Sequence, residues 1–183
     1  RSVAGIGAVS RYAFGVLKDE PVFLSEFGVY GVMSVNSTSE KSARNRSFFV
    51  DPRLTKEYNL DKAVSVIWNN YYMLFVNGHV YILDGRHKTN NSAGNTSYGY
   101  ECYYWEGVPA KTACSYGKEI WFGTDDGRIC RFKNSGSHTD YSDGTVRGDD
   151  EIVGTAIHAV WSTANDNDGA SEYFKTMQKK GTM

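Results

Sequence analysis

The sequence predicts an all-β chain that forms part of a β-propeller, with about three four-stranded antiparallel blades. The first observation is a segment that recurs about every fifty residues: an apolar run, a turn with glycine, and an alternating apolar run. The turn glycines Gly28, Gly78 and Gly127 lie 50 and 49 residues apart. The second observation is composition, since 13 Tyr and 19 Gly against 3 Pro favour hairpins over long helices.

The second repeat shows the plan of one blade most clearly. Asn77-Gly78 between two apolar runs is a type I′ hairpin signal, and Asn69-Asn70 predicts a further turn. After the second hairpin, a polar loop is predicted over residues 84–95. The predicted strands of this blade, which spans about 63–105, are 63–68, 71–76, 79–83 and 100–105.

The first and third repeats follow the same plan over about 8–51 and 110–163. In each of them a long polar loop precedes the fourth strand, over 35–46 and 134–150. Binding function tends to lie in such loops, although plain solvated connections are the alternative. The predicted strands are 9–15, 22–25, 29–34 and 47–51 in the first repeat, and 110–115, 119–123, 128–132 and 157–163 in the third.

The remaining segments fall outside the blades. Blades are predicted over 1–164, and 165–183 is predicted to be a C-terminal extension or the start of a following domain. Between the first two repeats, residues 52–60 predict one short helical turn that Pro52 begins. Because the chain starts without Met or a signal-peptide pattern, we expect it to be a piece of a longer polypeptide.

Charge and hydropathy exclude two classes of function. The net charge of −1 lacks the positive excess that nucleic-acid binding usually needs, so we predict no nucleic-acid partner. No run approaches the roughly 18 consecutive apolar residues of a membrane-spanning helix, so we predict no membrane span.

The residues that often carry chemistry form no catalytic pattern. The spacings of Cys102, Cys114 and Cys130 match no metal motif, which favours free or packed thiols. Cys114 lies inside a predicted apolar strand, so it is predicted to pack in the core. Asp125-Asp126-Gly127 is interpreted as hairpin turn chemistry, with a bound cation as the alternative. The segment 165–169 resembles part of a calcium loop but lacks the Glu at the required offset. We therefore predict no enzyme activity, no metal and no cofactor.

Aromatic residues crowd the second repeat and are the candidate contact residues. Alternate residues of a strand face opposite sides, so some of these rings are expected to fill the contact between blades. Those near a rim are candidates for stacking on sugar rings or on a partner. The candidates are Tyr71, Tyr98, Tyr100, Tyr104 and Trp105.

Four segments resemble bacteriophage and prophage tail-associated proteins of the β-propeller type: 77–86, 103–110, 120–132, and 159–163 with 175–177. The resemblance covers about 21–180. It implies a structural component of a virion tail or an adsorption protein, made in the bacterial cytoplasm, and it brings no catalytic residues. Because propellers have about 4–8 blades, three blades leave the ring to be completed by further sequence or by a second chain.

From these observations we predict a non-enzymatic virion tail protein whose propeller is a scaffold for assembly. Its expected partners are other virion proteins or itself, as a homodimer that completes a ring. The first alternative is a module that binds carbohydrate on a host surface during adsorption. A second alternative is a glycoside hydrolase fragment, which would need two carboxylates converging in one cleft.

Overall fold

The computed structural model describes residues 5–35, 40–90, 98–132, 139–140, 155–156 and 160. The predicted all-β class is confirmed, since helix in these ranges is confined to α1 (Asp51–Leu54) and a 3-10 turn at Leu60–Lys62. In the same ranges, no helix has the length and apolarity needed to cross a membrane. The chain divides into two compact units, Arg1–Asn134 and Ser135–Met183.

The described part of the first unit contains three antiparallel sheets. The first sheet has, in sequence order, β1 (Phe14–Leu17), β2 (Glu20–Ser25), β3 (Gly28–Val35) and β4 (Glu40–Asn45). The second sheet has, also in sequence order, β5 (Val64–Trp68), β6 (Tyr71–Val76), β7 (His79–Asn90) and β8 (Tyr98–Trp105). The third sheet has the order β11-β10-β9, from β9 (Thr112–Tyr116), β10 (Glu119–Gly123) and β11 (Ile129–Arg131). In the second unit, β12 (Thr139–Asp140) pairs with β13 (Thr155–Ala156).

Both predicted turns of the second sheet are confirmed. The φ angles are 46° and 63° at Asn69 and Asn70, and 51° and 81° at Asn77 and Gly78. Positive φ at both central residues is what a type I′ turn requires, and its twist matches the twist of the paired strands. The two hairpins therefore set the register of β5, β6 and β7. The bounds of β6 and β10 are those predicted from the sequence.

The predicted fourth strand of the first repeat, 47–51, is wrong. That segment turns into α1, and the fourth strand is β4, which lies in the predicted polar loop. Side-chain hydrogen bonds hold the backbone here. Ser47 Oγ accepts the Val29 N–H at 2.7 Å and donates to Asp51 Oδ1 at 2.5 Å. The Ser47 N–H also donates to Asn45 Oδ1 at 2.9 Å, and such local bonds between side chain and backbone compete with a strand ladder. The helical turn predicted to begin at Pro52 is confirmed in α1, where Pro occupies the first turn.

The third strand of the second repeat is longer than predicted. β7 continues to Asn90 instead of ending at Leu83, so the first part of the predicted polar loop is strand. The side chain of Asp84 is fully buried but bonds to Arg86 Nη2 at 2.8 Å, which allows a carboxylate in this strand. The ladder with β8 is irregular between Asp84 and Lys88. The strand therefore continues through a polar sequence, because the buried charge of Asp84 is paired with Arg86.

Two other predicted strands differ from the structure. The predicted strand 9–15 is shifted, because β1 begins at Phe14 and the side chain of Ser10 donates instead to the Ala63 carbonyl at 2.7 Å. The predicted fourth strand of the third repeat, 157–163, lies outside the described residues except for Val160, which is not in a strand. Within the described residues, the third sheet has three strands.

Two apolar cores lie on opposite faces of the second sheet. One core joins this sheet to the first sheet and includes Leu17, Val22, Leu24, Val29, Tyr72, Leu74, Tyr81, Leu83 and Tyr100. The other joins it to the third sheet and includes Val66, Met73, Phe75, Val80, Ile82, Ala110 and Ile120. Burying one such large apolar side chain contributes about 1.5–3 kcal/mol. The second sheet is therefore the central layer of these three sheets.

One ion pair lies inside the first core. Arg46 is 0% exposed and Glu20 is 7% exposed, and Arg46 Nη2 donates to Glu20 Oε1 at 2.7 Å. Tyr100 of β8 donates its hydroxyl to Glu20 Oε2 at 3.0 Å. Gly31 leaves space for this carboxylate, since a Cβ there would collide with it. A buried pair of this kind is sustained only while both charges keep their partners, and here it also links the first sheet to the second.

A second carboxylate holds the segment after α1 against the β6–β7 turn. Glu57 accepts hydrogen bonds from Asn77 Nδ2 at 2.8 Å and from the Tyr81 hydroxyl at 2.7 Å, and His79 Nδ1 lies 2.6 Å from its Oε1. Burial raises the pKa of Glu57, but these hydrogen bonds outweigh burial and lower the pKa overall. The ionised carboxylate is therefore the form that the fold stabilises.

Replacing Arg46 tests the buried ion pair. Arg46→Met leaves the Glu20 carboxylate buried without its cation, so we expect a loss of about 3–5 kcal/mol in the free energy of unfolding. The matched control is Arg128→Met, because Arg128 pairs with Asp126 at the surface, where both side chains are half exposed. Urea unfolding followed by circular dichroism measures both variants. Equal losses in the two variants would contradict the structural role of the buried pair.

Acid should destabilise the fold through Asp84 and Glu57. Hydrogen bonding to Arg86 lowers the pKa of Asp84, and the pKa of Glu57 is lowered as described above. Both folded-state pKa values lie below unfolded values of about 4, so both groups stabilise the fold above that pH. This stabilisation is lost as the pH falls through the folded-state pKa. We expect the urea midpoint to fall between pH 7 and pH 3, and to fall less in Asp84→Asn; an unchanged pH dependence in that variant would contradict the assignment.

Candidate functional site

A cleft of about 420 Å³ lies between the second and third sheets. This volume is within the range of about 300–1,000 Å³ that is typical of small-ligand sites. Its floor is apolar and buried, formed by Met73, Ile82 and Ile120. Lys118 and Glu119 also line it, and its aromatic residues are Trp68, Tyr71, Tyr103, Trp105 and Phe132. The cleft is therefore an aromatic site with charged groups beside it.

Strand register explains how these residues meet. Met73 of β6 pairs with Ile82 of β7, and Ile82 pairs with Tyr103 of β8, so the three side chains form one row across the second sheet. Trp105 lies two residues after Tyr103 and shares its face, because side chains of a strand alternate. The third sheet contributes residues from β10 and from the position after β11. The cleft thus follows from pairing in one sheet and packing against another.

Four of the five rings form two contacting pairs. Trp68 and Tyr71, which are cross-strand partners, stack with centroids 6.2 Å apart and an interplanar angle of 15°. Trp105 contacts Phe132 with centroids 5.8 Å apart and an angle of 47°. Tyr103 and Trp105 remain 44% and 43% exposed. Part of their ring surface is therefore available to a ligand.

An indole hydrogen bond joins the cleft wall to the turn before β10. Trp68 Nε1 donates to the Lys118 carbonyl at 2.9 Å, in the turn between β9 and β10. By contrast, Trp121 Nε1 is buried and has no hydrogen-bond partner in the described part of the chain. The Trp68 bond therefore fixes where Lys118 and Glu119 lie relative to the aromatic rings.

Polar side chains outside the lining bond to residues that line the cleft. Arg86 Nη2 bonds to the Tyr71 hydroxyl, and its guanidinium lies 4.4 Å from the centre of that ring. Tyr103 donates its hydroxyl to Glu101 Oε2 at 3.3 Å. Burial and the charge of Glu101 raise the pKa of Tyr103, so its hydroxyl keeps its proton at neutral pH. On the third sheet, Arg131 pairs with Glu119 at 3.1 Å.

The structure separates the predicted contact residues into different environments. Tyr71 and Trp105 line the cleft. Tyr104 contacts Tyr81, 5.2 Å away between ring centres, on the opposite face of β8. Tyr100 is buried, with its hydroxyl on Glu20, so it is not available for surface contact. Tyr98 is the first residue of β8.

Three cleft aromatics, Trp68, Tyr103 and Phe132, were not among the predicted contact residues. Two of them carry a sequence signal, because Tyr103 is two residues from Trp105 and Trp68 faces Tyr71 across a predicted turn. Phe132 comes from the third repeat, and nothing in its local sequence links it to the second. Its contact with Trp105 depends on how the sheets pack.

The cysteines do not contribute to the cleft. All three are free thiols, but the predicted core position of Cys114 is wrong, because β9 is an outer strand of its sheet and Cys114 is exposed. Cys102 is partly buried, and burial raises the pKa of its thiol to about 12. It is therefore protonated at neutral pH and a poor nucleophile.

The acidic turn has structural partners. Arg128 Nε lies 2.6 Å from Asp126 Oδ2, Thr124 Oγ1 bonds to the same side chain, and Gly127 has a φ of 80°. This matches the predicted hairpin turn chemistry. Within the described residues, no three His, Cys, Asp or Glu side chains form a group that could hold a metal ion. The segment 165–169 lies outside the described residues.

Comparisons with protein-family models, with curated proteins and with solved structures find no match for this chain. A functional conclusion must therefore come from the geometry and chemistry of the cleft.

The hydrogen bond from Trp68 can be tested with a matched pair of tryptophan variants. Trp68→Phe removes a satisfied indole N–H, so we expect a loss of about 1 kcal/mol in the free energy of unfolding. Trp121→Phe makes the same change where the N–H has no partner, and we expect little or no loss. Urea unfolding measures both variants. Equal effects would show that the bond to the Lys118 carbonyl does not hold the third sheet.

Proposed function

We propose that this chain is a non-enzymatic carbohydrate-binding module that stacks a sugar ring in the aromatic cleft. The observation that supports this function is the pair of half-exposed rings of Tyr103 and Trp105 beside polar groups. The C–H face of a sugar ring is apolar and packs on aromatic faces, whereas its hydroxyls need hydrogen-bond partners at the edge. Binding sites commonly combine an apolar lining with a few polar groups that fix orientation.

The polar groups in and beside the cleft match the needs of sugar hydroxyls. Glu119 and Lys118 both line the cleft, where Glu119 provides acceptors and Lys118 provides up to three donors. Arg86 is held in position by Asp84 and presents donors beside Tyr71. A neutral or acidic sugar would find both donors and acceptors within this set.

Catalysis is not part of the proposal. Glycoside hydrolysis generally uses two carboxylates that flank the bond to be cleaved. Among the described residues that line the cleft, Glu119 is the single carboxylate, and it is paired with Arg131. This geometry favours binding over hydrolysis.

The blade arrangement is a second part of the proposal. We propose that the three sheets are consecutive blades of a partial β-propeller. Support comes from the sequence order of strands in the first two sheets and from the two cores on opposite faces of the second sheet. Repeated four-stranded sheets that pack face to face are typical of propellers.

The proposed setting is a virion tail, where the module would contact a glycan on a bacterial surface during adsorption. The support for this setting is the sequence resemblance to phage and prophage tail-associated proteins. Assembly with other virion proteins stays a prediction of the sequence.

A glycan array followed by calorimetry tests the proposed function. We expect the full chain to bind a subset of bacterial-type glycans, and the strongest one is then titrated by isothermal calorimetry. Trp105→Ala removes a stacking surface worth roughly 2 kcal/mol, so we expect about 30-fold weaker binding.

The matched control is Tyr116→Ala, because Tyr116 is 77% exposed on the third sheet and does not line the cleft. We expect this variant to bind like the unchanged chain, and circular dichroism checks that both variants fold. Absence of glycan binding, or equal binding by Trp105→Ala and Tyr116→Ala, would contradict the proposed site.

A further inference from the structure

The turn between β6 and β7 contains a dipeptide that is prone to a spontaneous covalent reaction. Asn77-Gly78 is the only Asn-Gly pair in the sequence. In such a pair the backbone nitrogen of the glycine can attack the side-chain carbonyl carbon of the asparagine, because glycine has no side chain to obstruct the approach. Asn77 is therefore a candidate for chemical modification, and its surroundings decide how fast the reaction runs.

The structure holds the Asn77 side chain at the nitrogen that the reaction would expel. Asn77 Nδ2 donates to Glu57 Oε2 at 2.8 Å and to the Tyr58 carbonyl at 2.6 Å. Both N–H bonds of the amide thus have an acceptor, and both acceptors belong to the segment after α1. The same amide therefore joins that segment to the β6–β7 turn.

The turn between β5 and β6 offers an internal comparison. Asn69 occupies the equivalent first central position with a φ of 46°, and its side chain is exposed. No hydrogen bond to a described residue holds the Asn69 amide. Asparagine suits both positions because it tolerates a positive φ. The side-chain contact to a carboxylate distinguishes Asn77 from Asn69.

We propose that Asn77 is a site of slow deamidation, and that its hydrogen bonds to Glu57 and Tyr58 set the rate. The Gly78 nitrogen bonds to Asn77 Cγ and loses its proton, the bond from Cγ to Nδ2 breaks, and ammonia leaves. A five-membered succinimide remains, and water opens it at either carbonyl. The product at position 77 is aspartate or isoaspartate, with one water consumed and one ammonia released.

The product reverses the chemistry of the contact with Glu57. An amide nitrogen donates a hydrogen bond, whereas a carboxylate oxygen accepts one. The new carboxylate therefore faces Glu57 Oε2 and the Tyr58 carbonyl without a proton between them, and it adds a second negative charge beside Glu57. Deamidation thus weakens the attachment of the segment after α1 to the turn. The cleft takes no part, so this inference is independent of carbohydrate binding.

Peptide mapping by mass spectrometry tests the modification. The full chain is incubated at pH 8, and the exchange of NH2 for OH at position 77 is followed with time. We expect slow exchange in the unchanged chain and roughly tenfold faster exchange in Glu57→Leu, which removes a hydrogen bond to a charged acceptor. Arg46→Met is the control for general destabilisation, because it weakens the fold through a different contact, and we expect a smaller increase there.

Three results would overturn the proposal on the rate. The first is no exchange at position 77 even in the urea-unfolded chain. The second is equal exchange in the unchanged chain and in Glu57→Leu. The third is exchange in Arg46→Met as fast as in Glu57→Leu, which would assign the rate to global unfolding.

A second pair of variants keeps the test decisive if Glu57→Leu does not fold. Asn77→Asp reproduces the aspartate product, and Asn69→Asp makes the same change of charge at the equivalent turn position. Asp-Gly also favours a type I′ turn, so the backbone preference is kept in Asn77→Asp. We expect Asn77→Asp to lower the folding equilibrium constant about tenfold more than Asn69→Asp, because a charge-assisted bond is lost. Equal urea unfolding of the two variants would contradict the proposed effect on the contact.

Discussion

Burial of the second sheet on both faces is the constraint on which the described fold depends. Its strands carry apolar side chains on both faces, as in the continuous apolar run of β6. Neither face can therefore remain in water. The first sheet covers one face and the third sheet covers the other. A sheet covered on both sides loses the usual alternation of polar and apolar residues. The neighbouring sheets are therefore positioned by the second sheet.

The cleft is a consequence of this arrangement. The row of Met73, Ile82 and Tyr103 crosses the second sheet and passes from buried to half exposed. The third sheet covers this face incompletely. Aromatic residues at the covered end pack between the two sheets, and aromatic residues at the uncovered end face solvent. The same ring chemistry that stabilises the contact between sheets is then available to a ligand. A fold that depends on aromatic packing can thus present a stacking surface without a separate set of residues.

Polar groups determine details that apolar packing leaves open. The contact of Glu20 with Arg46 and Tyr100 links two sheets at one position, and Glu57 ties a loop to the turn at Asn77. Apolar surfaces can slide past one another at little cost, whereas a buried charge without its partner is strongly unfavourable. These contacts therefore select one alignment of the sheets.

The sequence alone determined the all-β class, the hairpins at Asn69-Asn70 and Asn77-Gly78, and two of the cleft residues, Tyr71 and Trp105. These features depend on local chemistry, since positive φ and strand alternation are read within a few residues. Only the tertiary structure decided that the fourth strand of the first sheet ends before residue 47, that Tyr100 is buried, and that Phe132 contacts Trp105. The last two depend on partners far apart in sequence, such as Glu20 for Tyr100. Local pattern cannot encode such contacts, because burial is decided by which sheets meet.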